Sequence, residues 1–332
     1  MGAYIEYLDL HVPAETIAIS DVLGNERLTE EQLEKISLRL LGTIEPKATL
    51  INYLEPMSTM FFGDRRQEGE VYESMVERMF ASGAVRREEV SHVIYTRGDS
   101  IAVGDPWSIH SEKECVNVPY FVQQRTRMQK AVVFNVEQEC TGSFTAMNIS
   151  RALVQQGQAT NVLILSSNFF GMSHKRLMGG SIFVGDGQGL ILVGKDRGPF
   201  QLVDATGYTD GAINSINSFL DFSNQQRVID IGVCVIRELL ERNRLSVDEI
   251  SLVVPLNTSQ FPWIKYTKAL GIPMHKVFVD NIGKGGHMGD VDLVRNLRDV
   301  SANREGAEGY VVAYGVSTGT SWNALLLRRN HN

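Results

Sequence analysis

The chain has 332 residues, of which 43% are hydrophobic and 21% are charged, as in proteins that fold around a buried core. A formal net charge of −7 argues against nucleic acid as the main partner. No window approaches the roughly 18 apolar residues of a membrane-spanning helix, and the N-terminus lacks the pattern of a secretion signal, so a cytoplasmic protein is expected. The spacing of Cys115, Cys140 and Cys234 and the absence of a paired histidine motif indicate a reducing compartment and no metal site.

Helical and strand-like segments alternate along the first half of the chain. An amphipathic helical pattern covers 72–80, and an acidic turn and a β-branched strand at 90–95 follow it. Two further apolar runs, 131–136 and 161–166, have the composition of buried strands, with helical spacing between them. Continuous apolar strands separated by helices predict a parallel sheet that is covered on both faces.

Cys140 lies where the strand at 131–136 gives way to a helix. The free backbone N–H groups and the positive dipole end of a helix N-terminus favour a thiolate, which is the form that attacks acyl carbonyls. Cys140 is therefore a candidate nucleophile for acyl transfer. The alternative is a small buried residue at a tight turn.

The second half of the chain repeats this order of elements. A helical pattern at 228–240, an acidic turn and a strand at 250–255 recur. Two more strand-like runs follow, at 276–280 and 309–314. Three matched elements in the same order indicate an internal duplication.

A duplicated α/β chain predicts two halves, residues 1–190 and 191–332, packed in α/β/α/β/α layers. If a pseudo-two-fold axis relates the halves, loops after equivalent strands meet at one central site. The loop after the first half's second strand carries Cys140, and the equivalent loop of the second half carries His287. The duplication therefore predicts that these two side chains face each other.

Several motifs resemble those of the thiolase superfamily, and most closely its β-ketoacyl-ACP synthase III (ketosynthase III) branch. They are the Cys140 turn with Gly142 and Phe144, the 185–189 glycine-rich hairpin, the 254–255 Val-Pro strand end and the loop 315–322. The resemblance extends over most of the chain from about residue 70. It implies the thiolase fold, a layered arrangement of two similar halves, and a homodimer.

One departure from the family's pattern bears on function. Ketosynthase III enzymes usually carry a histidine after the Val-Pro strand end, where this chain has Leu256, and His287 occupies the position of the family's asparagine. Decarboxylative condensation uses two donors to the malonyl thioester oxygen, and losing one such donor costs about 10²–10³ in rate. The substitution thus disfavours condensation and favours acyl transfer, with a neutral His287 imidazole as the general base.

A carboxylate that orients this base would assist it. Asp290 and Asp292 both follow closely along the chain, and either is also explained as a helix cap or a first-turn acid. Some ketosynthase-III-like acyltransferases of natural-product pathways resemble a Gly-His-x-Gly-x-x-Asp pattern. That resemblance implies Asp292 as the partner of His287.

The oxyanion of a tetrahedral intermediate needs backbone donors. By resemblance, these are the N–H of Cys140 and one from the loop that begins at Gly315, although small residues there also suit a tight connection before a strand. Leu256 and Asn257 are expected to line the substrate pocket, and a buried, satisfied amide is the alternative for Asn257.

Charged residues around the predicted site give further indications. Glu137 and Glu139 are expected to turn away from the sulfur of Cys140 toward solvent or an interface, because a nearby carboxylate raises the pKa of a thiol. The family's coenzyme A contacts have no clear counterpart here, so the expected donor is a carrier-protein thioester, with coenzyme A as the alternative. Four basic residues are candidates for docking an acidic carrier protein: Arg65, Arg66, Lys175 and Arg176.

The sequence thus favours an acyltransferase that works without a cofactor or metal, in polyketide-type natural-product biosynthesis. It would load Cys140 from an acyl carrier protein and pass the acyl group to a hydroxyl, an amine or a second carrier. Two alternatives stay open: a condensing β-ketoacyl synthase that forms a carbon–carbon bond, and a non-catalytic partner subunit of a ketosynthase.

Overall fold

A computed structural model describes residues 2–18, 59–98, 117–170, 176–178, 182–213, 222–303, 309–318 and 321–330, with a few positions between 30 and 46. Cys115 and Lys175 lie outside the described residues. Within these ranges, none of the helices is long and apolar enough to cross a lipid bilayer.

The first half of the described chain contains nine strands and three helices. The strands are β1 (Tyr4–His11), β2 (Glu15–Ala18), β3 (Thr59–Phe62), β4 (Val90–Arg97), β5 (Val132–Val136), β6 (Asn161–Asn168), β7 (Leu177–Met178), β8 (Ile182–Phe183) and β9 (Gly187–Gly194). The helices are α1 (Glu68–Ala81), α2 (Val118–Arg125) and α3 (Gly142–Gln155).

The second half adds five strands and three helices within the same described ranges. The strands are β10 (Phe200–Thr209), β11 (Ile250–Pro255), β12 (Lys284–Gly285), β13 (Tyr310–Val316) and β14 (Ser321–Arg329). The helices are α4 (Phe222–Arg242), α5 (Phe261–Leu270) and α6 (Val291–Ala302).

Local sequence explains several of these helices. The apolar residues of α1 recur at helical spacing and are buried on one face: Tyr72, Met75, Val76 and Met79. Helix α5 has Pro262 in its first turn, and its last turn closes on Gly271, whose φ of 74° lies in the left-handed region that suits glycine. These local signals favour the helical conformation and determine which face of α1 is apolar.

The strand order confirms the duplication. The main sheet runs β11-β13-β14-β10-β1-β9-β6-β4-β5, so the order β5-β4-β6-β9-β1 of the first half is mirrored by β11-β13-β14-β10 in the second. Strands β4, β5 and β6 are parallel, as are β11 and β13. The two halves join where β1 pairs with β10 over only two residue pairs.

The counterpart of β5 is shorter than predicted. Of the expected strand 276–280, only Val277 forms a bridge, parallel to Val253 of β11, and Phe278 N donates to the Val253 carbonyl at 2.8 Å. Residues 274–276 form a 3₁₀ turn instead. Extended pairing with β11 therefore starts only at Val277 and does not continue as a strand.

Three hydrophobic clusters fill the spaces between layers. The central cluster contains Met147 of α3 and Val294 of α6, so these two helices lie between the two halves of the sheet. One outer cluster includes residues of α1 and α2 with the first half's strands, and the other includes residues of α4 and α5 with the second half's strands. The expected α/β/α/β/α layering is therefore confirmed.

The boundary predicted at residue 190 falls inside one strand, β9, and that division stays a prediction. A small second sheet, β12-β3-β2, lies across the two halves, since β3 pairs in parallel with β12 of the second half. This pairing brings β3 next to the loop that carries His287.

Candidate active site

The nucleophile turn connects β5 to α3. A single 3₁₀ turn, Glu139–Thr141, follows the strand, and Gly142 opens the helix directly after it. Glu139 has a φ of 47°, a left-handed conformation that is uncommon for a residue with a side chain. The reversal places Cys140 just before the helix N-terminus, where it is only 3% exposed.

The histidine loop lies between β12 and α6, and glycines shape it. Gly285, Gly286 and Gly289 all have positive φ, and a side chain at Gly286 would approach the backbone of Gly185 within about 3 Å. His287 is held on both sides: its N–H donates to the Phe183 carbonyl at 2.7 Å, and its carbonyl accepts from Gly185 N at 2.9 Å. The glycine-rich hairpin at 185–189 therefore supports the histidine.

The structure brings the predicted cysteine, histidine and aspartate together. Cys140 Sγ lies 3.2 Å from His287 Nε2, and His287 Nδ1 lies 2.5 Å from Asp292 Oδ2. All three side chains are nearly or fully buried. A sulfur from one half thus meets an imidazole from the other, backed by a carboxylate.

Asp292 is fixed by more than the imidazole. Its Oδ1 accepts from Met288 N at 2.9 Å, and its Oδ2 accepts from Asn257 N at 2.7 Å. With both oxygens bonded, the carboxylate has little freedom to rotate, so the ring of His287 is held in one orientation.

The pKa of His287 is raised above its ordinary value. Burial by itself lowers its pKa, but the negative charges of Asp292 and of the Cys140 sulfur, with their hydrogen bonds, outweigh burial and raise the pKa of His287 to about 10. The carboxylate and the sulfur thus favour the protonated imidazole, and the role of the neutral form as a base stays a prediction. Acylation of Cys140 removes the contribution of the sulfur, so the pKa of His287 is expected to fall.

We expect NMR of ¹⁵N-labelled histidine to show His287 protonated from pH 6.5 to 8, where an ordinary histidine loses its proton. Alkylating Cys140 should lower the pKa of His287, because only the Asp292 charge then opposes burial. A neutral imidazole at pH 7 in the unmodified protein would contradict this assignment.

Two predicted site residues, Leu256 and Gly315, are adjacent to each other. Leu256, 4% exposed, belongs to the same central cluster as Cys140 and Phe144. A Cβ added at Gly315 would lie 3.0 Å from Leu256 Cδ1 and 2.8 Å from a ring carbon of Phe144. Gly315 is therefore adjacent to this apolar wall near the end of β13, and its part in an oxyanion site stays a prediction.

Asn257 is buried and held by a residue that sequence analysis missed. Asn296 Nδ2 donates to Asn257 Oδ1 at 2.9 Å and to the Pro255 carbonyl at 2.7 Å. Asn296 lies one helical turn after Asp292, so two residues of α6 form hydrogen bonds with the chain at the end of β11 and just after it. Their four-residue spacing is the only sequence signal that could have indicated this pairing.

Glu139 corrects one expectation. Glu137 is exposed as expected, but Glu139 is only 8% exposed and its Oε2 accepts from Thr318 Oγ1 at 2.6 Å. The neighbouring Gln138 donates to Ser321 Oγ at 3.0 Å. The backbone reversal at Glu139 directs its side chain to the 315–318 segment rather than to solvent, so the nucleophile turn is tied to the C-terminal strands.

One further expectation, for Arg176, is corrected. Arg176 is 1% exposed and pairs with the buried Asp186 at 2.7 Å, so it is not a surface residue for docking a carrier protein. Asp186 also accepts from Gly63 N and Phe170 N, which explains why this ion pair is retained inside. Cys234 is exposed on α4.

Family models match both halves of this site. The model described as 3-oxoacyl-[acyl-carrier-protein] synthase III matches residues 134–211, and the model for its C-terminal part matches residues 240–329. The first match includes Cys140, and the second includes His287 and Asp292.

Curated relatives are distant but consistent. The β-ketoacyl-[acyl-carrier-protein] synthase III of Aquifex aeolicus is 22% identical over 227 residues, which cover 65% of this chain and 73% of the relative. That of Clostridium acetobutylicum is 22% identical over 280 residues, covering 76% and 81%.

Solved structures share the fold over nearly the whole chain. ChlB3, described as an acyltransferase, aligns with a TM-score of 0.78 at 16% identity and covers 100% of this chain and 98% of its own. OleA of Xanthomonas campestris aligns with a TM-score of 0.75 at 12% identity, covering 99% and 98%. The chain is therefore an enzyme of the thiolase superfamily, of the ketosynthase III-like type.

Proposed function

We propose that the chain is an acyltransferase that moves an acyl group from a carrier-protein thioester, through an acyl-Cys140 intermediate, to a hydroxyl, an amine or a second carrier. One observation carries this proposal. A buried carboxylate orients the single imidazole that contacts the sulfur, as in sites that activate a nucleophile and then deprotonate an acceptor.

The residue at position 256 favours the same conclusion. Decarboxylative condensation needs two hydrogen-bond donors aimed at the enolate oxygen of a malonyl thioester. Leu256, at the end of β11, has no hydrogen-bonding side chain and packs with Phe144 beside Gly315. His287 is the side-chain donor that contacts the sulfur, at 3.2 Å.

In the first half-reaction, the Cys140 thiolate attacks the donor's thioester carbonyl. The oxyanion that forms would be stabilised by backbone N–H groups of Cys140 and of the segment beginning at Gly315. As the intermediate collapses, the carbon–sulfur bond to the carrier breaks and His287 Nε2 gives its proton to the leaving thiolate. Acyl-Cys140 and a neutral imidazole remain.

In the second half-reaction, the neutral imidazole takes the proton of the acceptor as the acceptor's oxygen, nitrogen or sulfur attacks acyl-Cys140. Asp292 stabilises the imidazolium that forms, because its Oδ2 accepts a hydrogen bond from Nδ1–H. Collapse of the second intermediate releases the Cys140 thiolate and restores the resting ion pair. No carbon dioxide is produced in either step.

The proposed donor is a thioester on the phosphopantetheine of an acyl carrier protein, with coenzyme A as the alternative. The names of the curated relatives, synthases acting on acyl-carrier proteins, support this choice. Arg66 is largely exposed and Arg65 partly so, and both remain candidates for carrier docking. A role in polyketide-type natural-product biosynthesis and a cytoplasmic location are part of the same proposal.

A homodimer is also proposed. Strand β5 ends the main sheet in the described part of the chain, and its first residue, Val132, is 57% exposed. An apolar edge strand of this kind is a template for pairing with a second copy. Because Cys140 follows β5, such pairing would also support the nucleophile turn.

The competing function is condensation, and the names of the synthase relatives favour it. The two are separated by giving acyl-loaded enzyme a ¹⁴C-malonyl carrier and, separately, hydroxyl and amine acceptors. We expect acyl transfer without release of labelled carbon dioxide. Carbon dioxide released in step with loss of acyl-Cys140 would instead establish condensation.

A further inference from the structure

Asp290 lies three residues after His287, yet its carboxylate faces the other half of the molecule. The side chain is fully buried, and its Oδ2 accepts hydrogen bonds from Thr96 Oγ1 and from Ser143 Oγ, the latter at 3.1 Å. Thr96 is near the end of β4, and Ser143 is in the first turn of α3. A carboxylate of the second half is therefore held by hydroxyls of the first.

This contact runs alongside the contact between the sulfur and the imidazole. Cys140 and Ser143 are three residues apart at the start of α3, and His287 and Asp290 are three residues apart just before α6. The 3.2 Å contact of Cys140 with His287 and the 3.1 Å contact of Ser143 with Asp290 join the same two segments. A change in the contact of Ser143 with Asp290 is therefore expected to shift the contact of Cys140 with His287.

Glycines allow the two segments to approach this closely. A Cβ added at Gly142 would lie 3.2 Å from Asp290 Oδ2, and one added at Gly98 would lie 2.8 Å from Gly289 Cα and 3.0 Å from Asp290 N. The start of α6 thus rests directly on the start of α3 and on the end of β4. The missing side chain at Gly142 therefore leaves the space that the Asp290 carboxylate occupies beside α3.

We propose that Asp290 is a positioning residue that sets the distance between the Cys140 sulfur and the His287 imidazole. Complete burial of a carboxylate is costly unless hydrogen bonds compensate it, and Thr96 and Ser143 supply two of them, both to Oδ2 and at one defined place. The effect on acyl-transfer rate rests on the proposed function, whereas the geometry of the sulfur and the imidazole does not.

Alkylation of Cys140 by iodoacetamide at pH 7 measures that geometry without an acyl substrate, because the reactive species is the thiolate that the imidazolium stabilises. Asp290→Asn keeps the size of the side chain and is expected to slow alkylation about tenfold, and Asp290→Ala roughly 10²-fold. Ser143→Ala also removes the 2.9 Å hydrogen bond from Ser143 Oγ to Ser166 Oγ. It should slow alkylation less, and should add little in the Asp290→Ala background since both changes remove the contact between Ser143 and Asp290. In acyl transfer, kcat should fall while KM stays the same.

Glu68→Gln is the matched control. Glu68 is a carboxylate of 2% exposure that accepts hydroxyl hydrogen bonds from Tyr95 and Ser167, both at 2.6 Å, and Tyr95 belongs to the outer cluster of the first half. Its replacement should lower Tm without changing the alkylation rate of Cys140.

The proposal is overturned if Asp290→Asn, Asp290→Ala and Ser143→Ala lower Tm as Glu68→Gln does but alkylate at the wild-type rate. If the Asp290 variants do not fold, Ser143→Ala alone decides, because it removes one hydroxyl and leaves the carboxylate in place. Slowed alkylation in a protein that shows no acyl transfer would support the positioning role and count only against the proposed function.

Discussion

Replacing Cys140 by alanine is expected to abolish covalent acylation completely. The sulfur is the group that contacts His287 at 3.2 Å, and the serine or threonine hydroxyls nearby are not paired with an imidazole in the described structure. An acyl-carrier donor should therefore add no acyl mass to the Cys140→Ala protein. Intact-protein mass spectrometry after incubation with the donor checks this.

Cys234 provides the matched control for this substitution. It is an exposed cysteine on α4, so it is more accessible than the buried Cys140, and no hydrogen bond to an imidazole is found for it within the described residues. Cys234→Ala should acylate as the wild type does. Acyl mass that persists in Cys140→Ala and disappears in Cys234→Ala would move the nucleophile elsewhere and end the assignment.

Replacing Asp292 by asparagine is expected to slow acyl transfer by roughly 10²–10⁴-fold, with little change in fold. An amide can still occupy the space, but it cannot offset the positive charge that His287 acquires when it takes the acceptor's proton. Without that carboxylate, burial dominates and the pKa of His287 falls. Single-turnover transfer from acyl-Cys140 to the acceptor measures the effect.

Asp299→Asn serves as the control for this change. Asp299 lies on the same helix and its carboxylate accepts from Asn281 Nδ2 at 2.7 Å. Its replacement should alter the transfer rate by less than about threefold, in the range of an ordinary surface substitution. Equal losses in both variants would show that Asp292 contributes to the helix rather than to the chemistry.

The layered fold was predictable because the same order of helices and strands occurs twice in the chain. Strand-like runs at 90–95, 131–136 and 161–166 are apolar and bounded by helical spacing, and their counterparts recur in the second half. Duplication alone was enough to place Cys140 opposite His287, which the 3.2 Å contact confirms. Asp292 followed from a family resemblance, and the structure gives it the contact to His287 that Asp290 lacks in the hydrogen bonds described.

Other features depended on where distant segments pack. Nothing in the neighbourhood of Glu139 shows that its side chain meets Thr318, since that contact joins residues 179 positions apart. Arg176 reads as a surface cation until Asp186 and the end of β3 enclose it. The raised pKa of His287 is a third case, because it results from burial opposed by Asp292 and Cys140.

The most direct test of the central claim is a rapid-quench measurement of the Cys140 peptide by mass spectrometry, in wild type and in His287→Gln. In the wild type, the peptide should gain the acyl mass from the carrier and lose it when the acceptor is added. In the variant, discharge to the acceptor should be slower by roughly 10²–10⁴-fold, because no base takes the acceptor's proton. Equal discharge rates with and without the imidazole would contradict the proposed chemistry.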